Sequence, residues 1–377
     1  MAECQDRTKE LYALPLASST EEGGRLDEQH NMLKLHLGSL FPCPDAVAQV
    51  MAGGEEQTKS VLDLGSGSGV WCLDVANQFP QAQVVGIDIT PNLRQTMPPN
   101  CKFEIWNINQ GLAPFYGQFD IVHLRFIQGI VDHHAMTVEA VKCLKPGGLV
   151  IFLRAGEYVT EDRTTVTPAA SSRMPDQSWY QRLWCLLECG STQRGIPTEE
   201  YDHDYQQGFW DYDGIDTRKC GAAFITIPMG TWVATSDPSE NTRLRSIGDF
   251  WVKNLLRVSK VLAHVMVTSG RSEKEVESLR ANLEKEHHEA RIRLSMVIRA
   301  IWGHARGLGD TKDQNQDPAQ GGNVTLPVIA SEPGEYRVKT IFDSKAAWTK
   351  FNTDLASTMT PDTKGLRTIP GFDPMEE

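Results

Sequence analysis

Three glycines and two aspartates in the first quarter of the chain have the spacing of a nucleoside-binding turn. Gly65, Gly67 and Gly69 follow an apolar run that contains Asp63, and the next apolar run ends at Asp88. A glycine-rich turn between a strand and a helix lets a ligand approach the backbone closely. A carboxylate at the end of the second strand can accept hydrogen bonds from both ribose hydroxyls. We therefore predict that this segment holds a nucleoside.

The neighbouring residues narrow the choice of nucleoside. A dinucleotide-binding fingerprint needs a third glycine where this chain has Val70, and the Gly-Lys-Ser/Thr ending of a phosphate-binding loop does not follow. Asp63, two residues before the first glycine, would repel a pyrophosphate but attract an amine. The combination favours a nucleoside with a cationic tail and fits S-adenosylmethionine. The alternative is a tight turn that binds no ligand.

The elements that would position these residues alternate between strand and helix. Five apolar runs predict strands, at residues 61–64, 83–88, 101–107, 119–124 and 149–154. Amphipathic segments between and beyond them predict helices, at residues 70–79, 138–144, 179–188, 242–267 and 272–292. Residues 222–230 predict a further strand, and 294–303 a strand or a helix. This alternation predicts an α/β fold with a mostly parallel sheet and helices on both faces.

Composition divides the chain into three parts. Residues 1–58 are predicted to be a leader with one short helix at 25–38. Residues 59–306 are predicted to form the main domain, with 155–221 and 232–293 as the variable segments that shape the substrate pocket. Residues 307–377 begin with linker composition and contain one short amphipathic segment, at 342–351, so we predict a tail that is partly disordered or lies on the surface.

Charge and cysteine usage exclude several function classes. A net charge of −12 over 377 residues argues against a dedicated nucleic-acid binder, and no apolar run approaches membrane-spanning length. The eight cysteines are scattered and no secretion signal precedes them, so we expect reduced thiols in the cytoplasm, with the nucleus as the alternative. Cys185 and Cys189 are interpreted as core cysteines, and no metal site is expected, although Asp202, His203 and Asp204 are adjacent.

Several motifs together resemble a known enzyme family. DLGSGSG followed by GIDIT resembles motif I and the next acidic residue of class I methyltransferases, and LKPGG resembles the turn before their fifth strand. YALP, RLDEQH, FPQAQVVGIDITP, PPNCKFEI, FDIVHLRF and IPMGTW are similar to the fungal LaeA-like (TAM-type) methyltransferases. The resemblance covers roughly residues 11–305. It implies a Rossmann-like fold of about seven strands, the last one antiparallel, with a helical insertion and S-adenosylmethionine as cofactor.

The resemblance also assigns cofactor-binding positions. It implies that Asp63 and the glycines line the methionine moiety, and that Asp88 holds the ribose. Asn107 stands where relatives carry an acidic residue against the adenine, and its side-chain oxygen can accept the same hydrogen bond. Trp106 beside it packs either the adenine or the sheet. The full implied set is Tyr12, Arg25, Asp63, Gly65, Ser66, Gly67, Asp88, Ile89, Asn107, Ile108 and His123. Tyr12 and Arg25 resemble the family's lid, although Arg25 could equally be a helix-start charge.

Candidates for the chemistry lie after the fourth and fifth strands, because active sites of such sheets form at the carboxyl ends of strands. His123 is the candidate general base, with a cofactor-packing or helix-capping histidine as the alternative. Arg125 follows the same strand. Candidate substrate residues are Arg154, Glu157, Tyr158, Trp210 and Tyr212. The two last aromatic residues either wall an aromatic or isoprenoid substrate or form an outer packing layer. His133 and His134 are expected to be solvated.

These observations leave two main functions open. The first is methyl transfer to oxygen or nitrogen of a small-molecule acceptor, in fungal secondary metabolism, without nucleic-acid or membrane partners. The alternative is a LaeA-like regulator of secondary-metabolite genes that acts in a protein complex. An NAD-dependent oxidoreductase is disfavoured, because Val70 replaces the third glycine and Asp63 precedes the turn.

Overall fold

The computed structural model describes residues 20–52, 58–92, 94–127, 132–171, 174–193, 205–268, 271–289, 293–307, 336 and 338–359. Its helices are α1 (Thr20–Leu37), α2 (Pro44–Met51), α3 (Val70–Gln78), α4 (His133–Lys142), α5 (Trp179–Gln193), α6 (Pro238–Thr268), α7 (Glu273–Glu289) and α8 (Lys345–Ser357). Its strands are β1 (Ser60–Leu64), β2 (Gln83–Asp88), β3 (Cys101–Ile105), β4 (Phe119–Arg125), β5 (Leu144–Val159), β6 (Ile215–Met229), β7 (Leu294–Ala305) and β8 (Lys339–Phe342). Short 3-10 helices lie at Ile108–Gln110, Ala113–Phe115 and Gly208–Asp211.

The strands form one sheet in the order β3-β2-β1-β4-β5-β7-β6-β8. The first five strands in the chain are mutually parallel, and β7 lies antiparallel between β5 and β6. The predicted α/β, Rossmann-like arrangement with an antiparallel late strand is therefore confirmed. Chain order reverses between β1 and β4, and ligands of open α/β sheets bind at such switch points.

Each face of the sheet carries its own apolar core, because successive strand side chains point to opposite faces. In β5, Leu149, Ile151 and Leu153 pack into one core, whereas Val150 and Phe152 pack into the other. Helices α1, α2, α3, α5, α6 and α7 contribute to the first core. The second core contains α4, the 3-10 helix Gly208–Asp211 and α8. The prediction of helices on both faces is confirmed.

The segment predicted as a linker-like tail contributes regular structure to the sheet. β8 pairs antiparallel with β6, as an eighth strand beyond the seven predicted, and α8 packs beside it. Trp348, Phe351 and Leu355 of α8 are buried at 0%, 3% and 2% exposure. The tail prediction is therefore wrong for residues 339–357, where apolar side chains at helical spacing bury one face. Residues 308–335, 337 and 360–377 lie outside the described residues.

Local signals that the sequence carries are present at several helix ends. In α7 the Ser272 backbone N–H donates to Glu275 Oε2 (2.7 Å), and the Glu275 N–H donates to Ser272 Oγ (3.3 Å). This reciprocal pair is a capping box, which the Ser-x-x-Glu spacing of the sequence favours. Asp132 caps α4 by accepting from the Ala135 N–H at 2.7 Å. Across the parts of the chain described above, none of the helices combines the length and apolarity that a membrane span requires.

Candidate functional site

A pocket of about 300 Å³ lies at the carboxyl ends of the central strands. Its wall takes residues from the turn after β1, from the ends of β2 and β4, and from the segment after β3. The far wall takes residues from β5, β6, β7 and α5. Two helices that are distant in sequence, α1 and α6, supply the remaining residues and meet each other beside the pocket. The pocket therefore joins the leader, the parallel half of the sheet and the later helices.

The glycine turn after β1 forms one side of this pocket. Gly65, Gly67 and Gly69 have φ values of 68°, 54° and 78°, in the left-handed region that favours glycine. The Gly65 and Ser66 backbone N–H groups donate to the carbonyl of Ile87 at 2.8 and 3.0 Å. Of the side chains that the structure describes, a Cβ atom added at Gly67 would have only Leu26 within 4 Å, at 3.2 Å. The bare backbone at Gly67 thus leaves a narrow space that a ligand can use.

Asp88 is held at the end of β2 by the same turn. One carboxylate oxygen accepts from the Gly67 N–H at 2.9 Å, and the other accepts from the backbone and hydroxyl of Thr90 at 2.9 and 2.8 Å. Asp88, Ile89 and Thr90 all line the pocket. The carboxylate is therefore fixed in position where a ribose hydroxyl could reach it, which fits the expected nucleoside.

The segment after β3 closes the other end of the nucleoside half. Trp106, Asn107 and Ile108 line the pocket. The Asn107 side-chain oxygen accepts from the Asn109 N–H at 3.0 Å, and its second lone pair is available to a further donor. Trp106 donates its indole N–H to the carbonyl of Gly111 at 2.9 Å. Trp106 lines the pocket and also packs against the second core, and its contact with an adenine stays a prediction.

Asp63 and His123 form a buried pair on the pocket floor. The His123 Nδ1–H donates to Asp63 Oδ1 at 2.7 Å, and the Cys72 thiol donates to Asp63 Oδ2 at 3.3 Å. The His123 ring stacks on Trp71, with centroids 3.8 Å apart and planes 9° apart. Burial lowers the pKa of His123, so the ring is neutral at pH 7. With Nδ1 protonated in the neutral ring, Nε2 is the nitrogen that can accept a proton or hydrogen bond.

Two arginines line the pocket in different electrostatic settings. Arg25 of α1 forms a two-point ion pair with Glu22, with N–O distances of 2.7 and 2.5 Å, and reaches Asn254 of α6 at 2.9 Å. Arg125 ends β4, and its two terminal nitrogens lie 3.3 Å from His30 Nδ1. The next residue, Phe126, also lines the pocket and has a positive φ of 54°, a conformation uncommon for a non-glycine residue.

Of the predicted substrate residues, Tyr158 alone lines this pocket among the described residues. Glu157 instead forms a buried ion pair with Arg299, with N–O distances of 2.8 and 2.5 Å. A register shift between Ala155 and Tyr158 returns Tyr158 to the pocket face and leaves Glu157 on the other. Arg154 is also buried outside the pocket wall, with its guanidinium 5.9 Å from the Trp184 ring centroid. The substrate assignments of Arg154 and Glu157 are corrected accordingly.

Trp210 and Tyr212 also lie away from the pocket. Both belong to the second core, around Phe209 and the 3-10 helix Gly208–Asp211. The Tyr212 ring contacts His134, with Tyr212 Oη 3.2 Å from His134 Nδ1. Their alternative interpretation as a packing layer is therefore correct, and the substrate-wall interpretation is wrong. His133 was expected to be solvated but is 4% exposed, and burial lowers its pKa to about 2.

Several pocket residues were not singled out from the sequence. They come from α5, α6, β6 and β7: Leu183, Trp184, Met229, Trp251, Asn254, Leu255, Val258, Leu262 and Met296. The α6 residues recur at three- and four-residue spacing, which in a single sequence is the same signal as a core-facing stripe. Tyr12 and the Asp202-His203-Asp204 cluster lie outside the described residues. The described ranges contain no group of side chains suited to hold a metal ion.

Comparison with known proteins adds a family to this geometry. Residues 42–218 match the family model described as a methyltransferase domain. The chain is 36% identical over 145 residues to the secondary metabolism regulator laeA of Coprinopsis cinerea, which covers 38% of this chain and 35% of that protein. It is 34% identical over 191 residues to methyltransferase str3 of Strobilurus tenacellus, which covers 47% of this chain and 65% of that protein.

A third curated relative is the N-methyltransferase verN of Clonostachys rogersoniana, 30% identical over 165 residues, with 41% of this chain and 54% of that protein covered. The chain thus spans between about a third and two thirds of the length of these relatives. The cofactor of the family is S-adenosylmethionine, and the glycine turn and Asp88 fit it. Together with the strand order, the match over residues 42–218 and the relatives support a class I S-adenosylmethionine-dependent methyltransferase that is similar to the LaeA-like proteins.

Proposed function

We propose that the chain transfers the methyl group of S-adenosylmethionine to oxygen or nitrogen of a small, largely apolar acceptor in fungal secondary metabolism. One observation carries this proposal. The pocket that begins at the glycine turn continues, across the sheet, into a wall of apolar and aromatic side chains. Such a shape suits two ligands that meet end to end, as an in-line displacement requires.

The half of the pocket near β1, β2 and β3 is proposed to hold the cofactor. The carboxylates of Asp63 and Asp88 suit an ammonium and a ribose, respectively. The cofactor, when bound, supplies an electrophilic methyl group. The chain supplies the contacts and a narrow, fixed backbone. The described residues proposed to bind it are Arg25, Asp63, Gly65, Ser66, Gly67, Asp88, Ile89, Asn107, Ile108 and His123.

The half near β5, β6 and β7 is proposed to hold the acceptor. Tyr158, Met229 and Met296 lie at strand ends there, and Trp184 and Trp251 come from α5 and α6. Aromatic rings and thioether sulfurs offer a polarisable surface to an apolar or aromatic ligand. By excluding water, this wall would also protect the displacement from solvent. Two relatives that carry the name methyltransferase support an enzymatic function.

His123 is proposed as the group that takes the proton released when a hydroxyl or a neutral amine of the acceptor is methylated. Its neutral ring is oriented by Asp63 and Trp71, which leaves Nε2 as the basic nitrogen. A neutral histidine of lowered pKa is a modest base, so it suits an acceptor that is already nucleophilic. The alternative role is support of the Asp63 carboxylate beneath the cofactor.

A second candidate function is regulation of secondary-metabolite genes within a protein complex, with a nuclear rather than a cytoplasmic location. The observation that favours it is the similarity to the protein named secondary metabolism regulator laeA. In that case the acceptor half of the pocket would receive a side chain of a partner protein.

Labelled cofactor distinguishes these functions. Purified protein is incubated with methyl-labelled S-adenosylmethionine and a metabolite extract of the source organism, alongside the Gly67→Arg variant as a matched control. Label in a small molecule that appears only with the wild type supports the proposal. Label on protein alone favours the regulator. If calorimetry shows no binding of S-adenosylmethionine, or shows binding of NAD instead, both functions are contradicted.

A further inference from the structure

The two arginines that line the pocket differ in how their charge is balanced. Arg25 donates to both carboxylate oxygens of Glu22 and also to Gln29 and Asn254. Its positive charge is therefore neutralised within α1 and directed toward α6. This pairing leaves Arg25 poorly suited to bind a further anion, because a carboxylate ligand would have to displace Glu22.

Arg125, unlike Arg25, forms no direct ion pair with a carboxylate among the described residues. Among the described residues, no carboxylate lies within ion-pair distance of its guanidinium, which instead donates to the Nδ1 atom of His30. His30 Nε2 lies 3.1 Å from Asp74 Oδ2, so the neutral ring donates to Asp74 and accepts from Arg125. Burial and the nearby Arg125 charge lower the pKa of His30 to about 4. Arg125 is thus a cation in the pocket wall whose direct partner carries no charge.

Asp63 stands on the strand next to Arg125. β1 and β4 pair in parallel with Asp63 beside His123 and Leu64 beside Leu124, so Arg125 lies one residue further along. Both Asp63 and Arg125 line the pocket, and they form no ion pair with each other. The Asp63 oxygens are instead oriented by His123 and Cys72. The pocket floor therefore presents one negative and one positive group, separately fixed, on adjacent strands.

A separated pair of opposite charges matches an amino-acid tail, which carries an ammonium and a carboxylate on one carbon. We propose that Arg125 binds the carboxylate of the cofactor's methionine tail while Asp63 faces its ammonium. Guanidinium and carboxylate form charge-assisted hydrogen bonds of fixed geometry, so this contact also orients the tail. The inference rests on the proposed function, because it assumes that S-adenosylmethionine occupies this pocket.

The same contact would connect the cofactor to the leader helix. His30 belongs to α1, and its ring joins Arg125 to Asp74, which Lys34 of α1 also contacts at 2.5 Å. A carboxylate bound to Arg125 would fix the orientation of the guanidinium. It would thereby also fix the hydrogen bond that the guanidinium donates to His30 Nδ1. Arg125 is therefore placed to bind the tail on one side and hold α1 on the other.

Calorimetric titration with three ligands tests the assignment. The ligands are S-adenosylmethionine, its decarboxylated form, and methylthioadenosine, which lacks the whole tail. They are titrated into the wild type, Arg125→Met and Arg125→Lys, with Arg293→Met as the matched control because Arg293 is exposed, pairs with Glu161 and lies outside the pocket wall. Circular dichroism melting curves establish that each variant is folded before its affinities are compared.

The wild type is expected to bind S-adenosylmethionine about 10- to 100-fold more tightly than the decarboxylated form, the range for a hydrogen bond between charged groups. Arg125→Met should lose that preference by weakening S-adenosylmethionine alone, with both other ligands unchanged. Arg125→Lys keeps the positive charge but lacks the paired N–H donors of the guanidinium, so it should keep part of the preference for S-adenosylmethionine over its decarboxylated form. Arg293→Met should leave the affinities for all three ligands as in the wild type.

Three results would overturn the assignment. The first is a wild type that binds both S-adenosylmethionine forms equally. The second is an Arg125→Met variant in which all three affinities fall together, which would indicate a structural role through His30. The third is unchanged cofactor binding with lost turnover, which would assign Arg125 to an acceptor anion. Absence of any S-adenosylmethionine binding by the wild type would instead contradict the proposed function itself.

Discussion

Gly67 differs from its two neighbouring glycines in what surrounds it. A Cβ atom at Gly65 would overlap Ile127 at 2.6 Å, and one at Gly69 would overlap Phe103. At Gly67 the only neighbour within 4 Å among the described residues is Leu26 of α1, at 3.2 Å. The first and third glycines are therefore needed for packing of the turn, whereas Gly67 preserves the space for the ligand.

Gly67→Arg is expected to abolish cofactor binding with a moderate loss of stability. The side chain would fill the gap between the turn and Leu26, and the positive φ would cost about 1–2 kcal/mol. Gly117→Arg is the matched control, since Gly117 has a φ of 67° with nothing within 4 Å and lies outside the pocket. Calorimetry should show no binding in the first variant and normal binding in the second. Retained binding in Gly67→Arg would refute the assignment of the turn.

His36 is expected to make stability fall with acid. Its Nε2–H donates to the carbonyl of Thr226 at 2.8 Å, and burial lowers its pKa to about 4, with Arg243 lowering it and Glu240 opposing. Below pH 6.5 this histidine becomes protonated in the unfolded chain, whereas the buried His36 ring of the native chain stays neutral down to about pH 4. The stabilisation from the neutral ring is thus present above pH 6.5 and is lost progressively toward pH 4.

Denaturant unfolding of His36→Gln at pH 7.5 and pH 5 measures this contribution. The wild type should lose about 2 kcal/mol more than the variant between the two pH values. His288→Gln, at an exposed position near the end of α7, should behave as the wild type. An equal loss in wild type and His36→Gln would mean that His36 does not titrate on unfolding.

At the scale of elements, α8 completes the second core. The Trp348 ring is 0% exposed, and its indole N–H donates to the carbonyl of Tyr205 at 2.9 Å. Asn352 accepts from Arg299 Nε at 2.9 Å, so α8 also holds one end of the Glu157–Arg299 pair. A helix from near the end of the chain therefore supports the strand that leads to Tyr158.

Trp348→Ala is expected to lower the free energy of unfolding by about 3–5 kcal/mol, the usual cost of truncating a buried tryptophan. Lys350→Ala, on the exposed side of α8, removes only a surface ion pair with Asp354 and should cost less than about 0.5 kcal/mol. Urea unfolding of the two variants gives the comparison. Equal stability of Trp348→Ala and the wild type would show that α8 does not dock as described.

The elements that could be predicted are those whose local pattern matches their tertiary role. The alternation from residue 60 to 154 matches the positions of β1 to β5. The central strands are recognisable because they are nearly continuous apolar runs, whereas β3, at the edge of the sheet, alternates apolar and charged residues. The amphipathic character of residues 342–351 was visible, but the docking of α8 in the core was not predicted, because its buried side chains Trp348, Phe351 and Leu355 are spread through a polar segment. A helix is recognisable in the sequence when it contains many apolar residues. Its packing in the folded chain depends instead on whether the few apolar residues it has lie on one face.

The residues of the site also divide into those that could be predicted from the sequence and those that could not. Asp63, the glycines and Asp88 were predictable because a nucleoside demands particular residue types at particular spacings. Trp210 and Trp251 are both aromatic residues in helical segments, yet Trp210 packs in the second core and Trp251 lines the pocket. Whether such a tryptophan lines the pocket or packs in the second core depends on which face of the sheet its segment crosses. That face is set by the long connections between β5, β6 and β7. A single sequence does not encode those connections in a short-range pattern.

At the scale of the whole molecule, the pocket is closed by contacts between segments far apart in the chain. Asn254 of α6 accepts from Arg25 of α1, and Arg257 donates to Glu28 at 2.5 Å. Arg94, after β2, contacts Asp27 of α1 and the carbonyl of Ser68 in the glycine turn. The leader helix is therefore tied to both halves of the pocket, and a ligand that contacts the turn should affect α1 and α6 together.

Hydrogen exchange with and without S-adenosylmethionine tests this coupling. Saturating cofactor at a hundredfold above its dissociation constant should stabilise the native chain by about 2.7 kcal/mol. Slower exchange is expected in α1 and α6 as well as in the turn after β1, because all three share the pocket. α4 and α8 pack on the opposite face and serve as internal controls, with much smaller changes expected. Slowing confined to the turn after β1 would show that α1 and α6 neighbour the cofactor without closing over it.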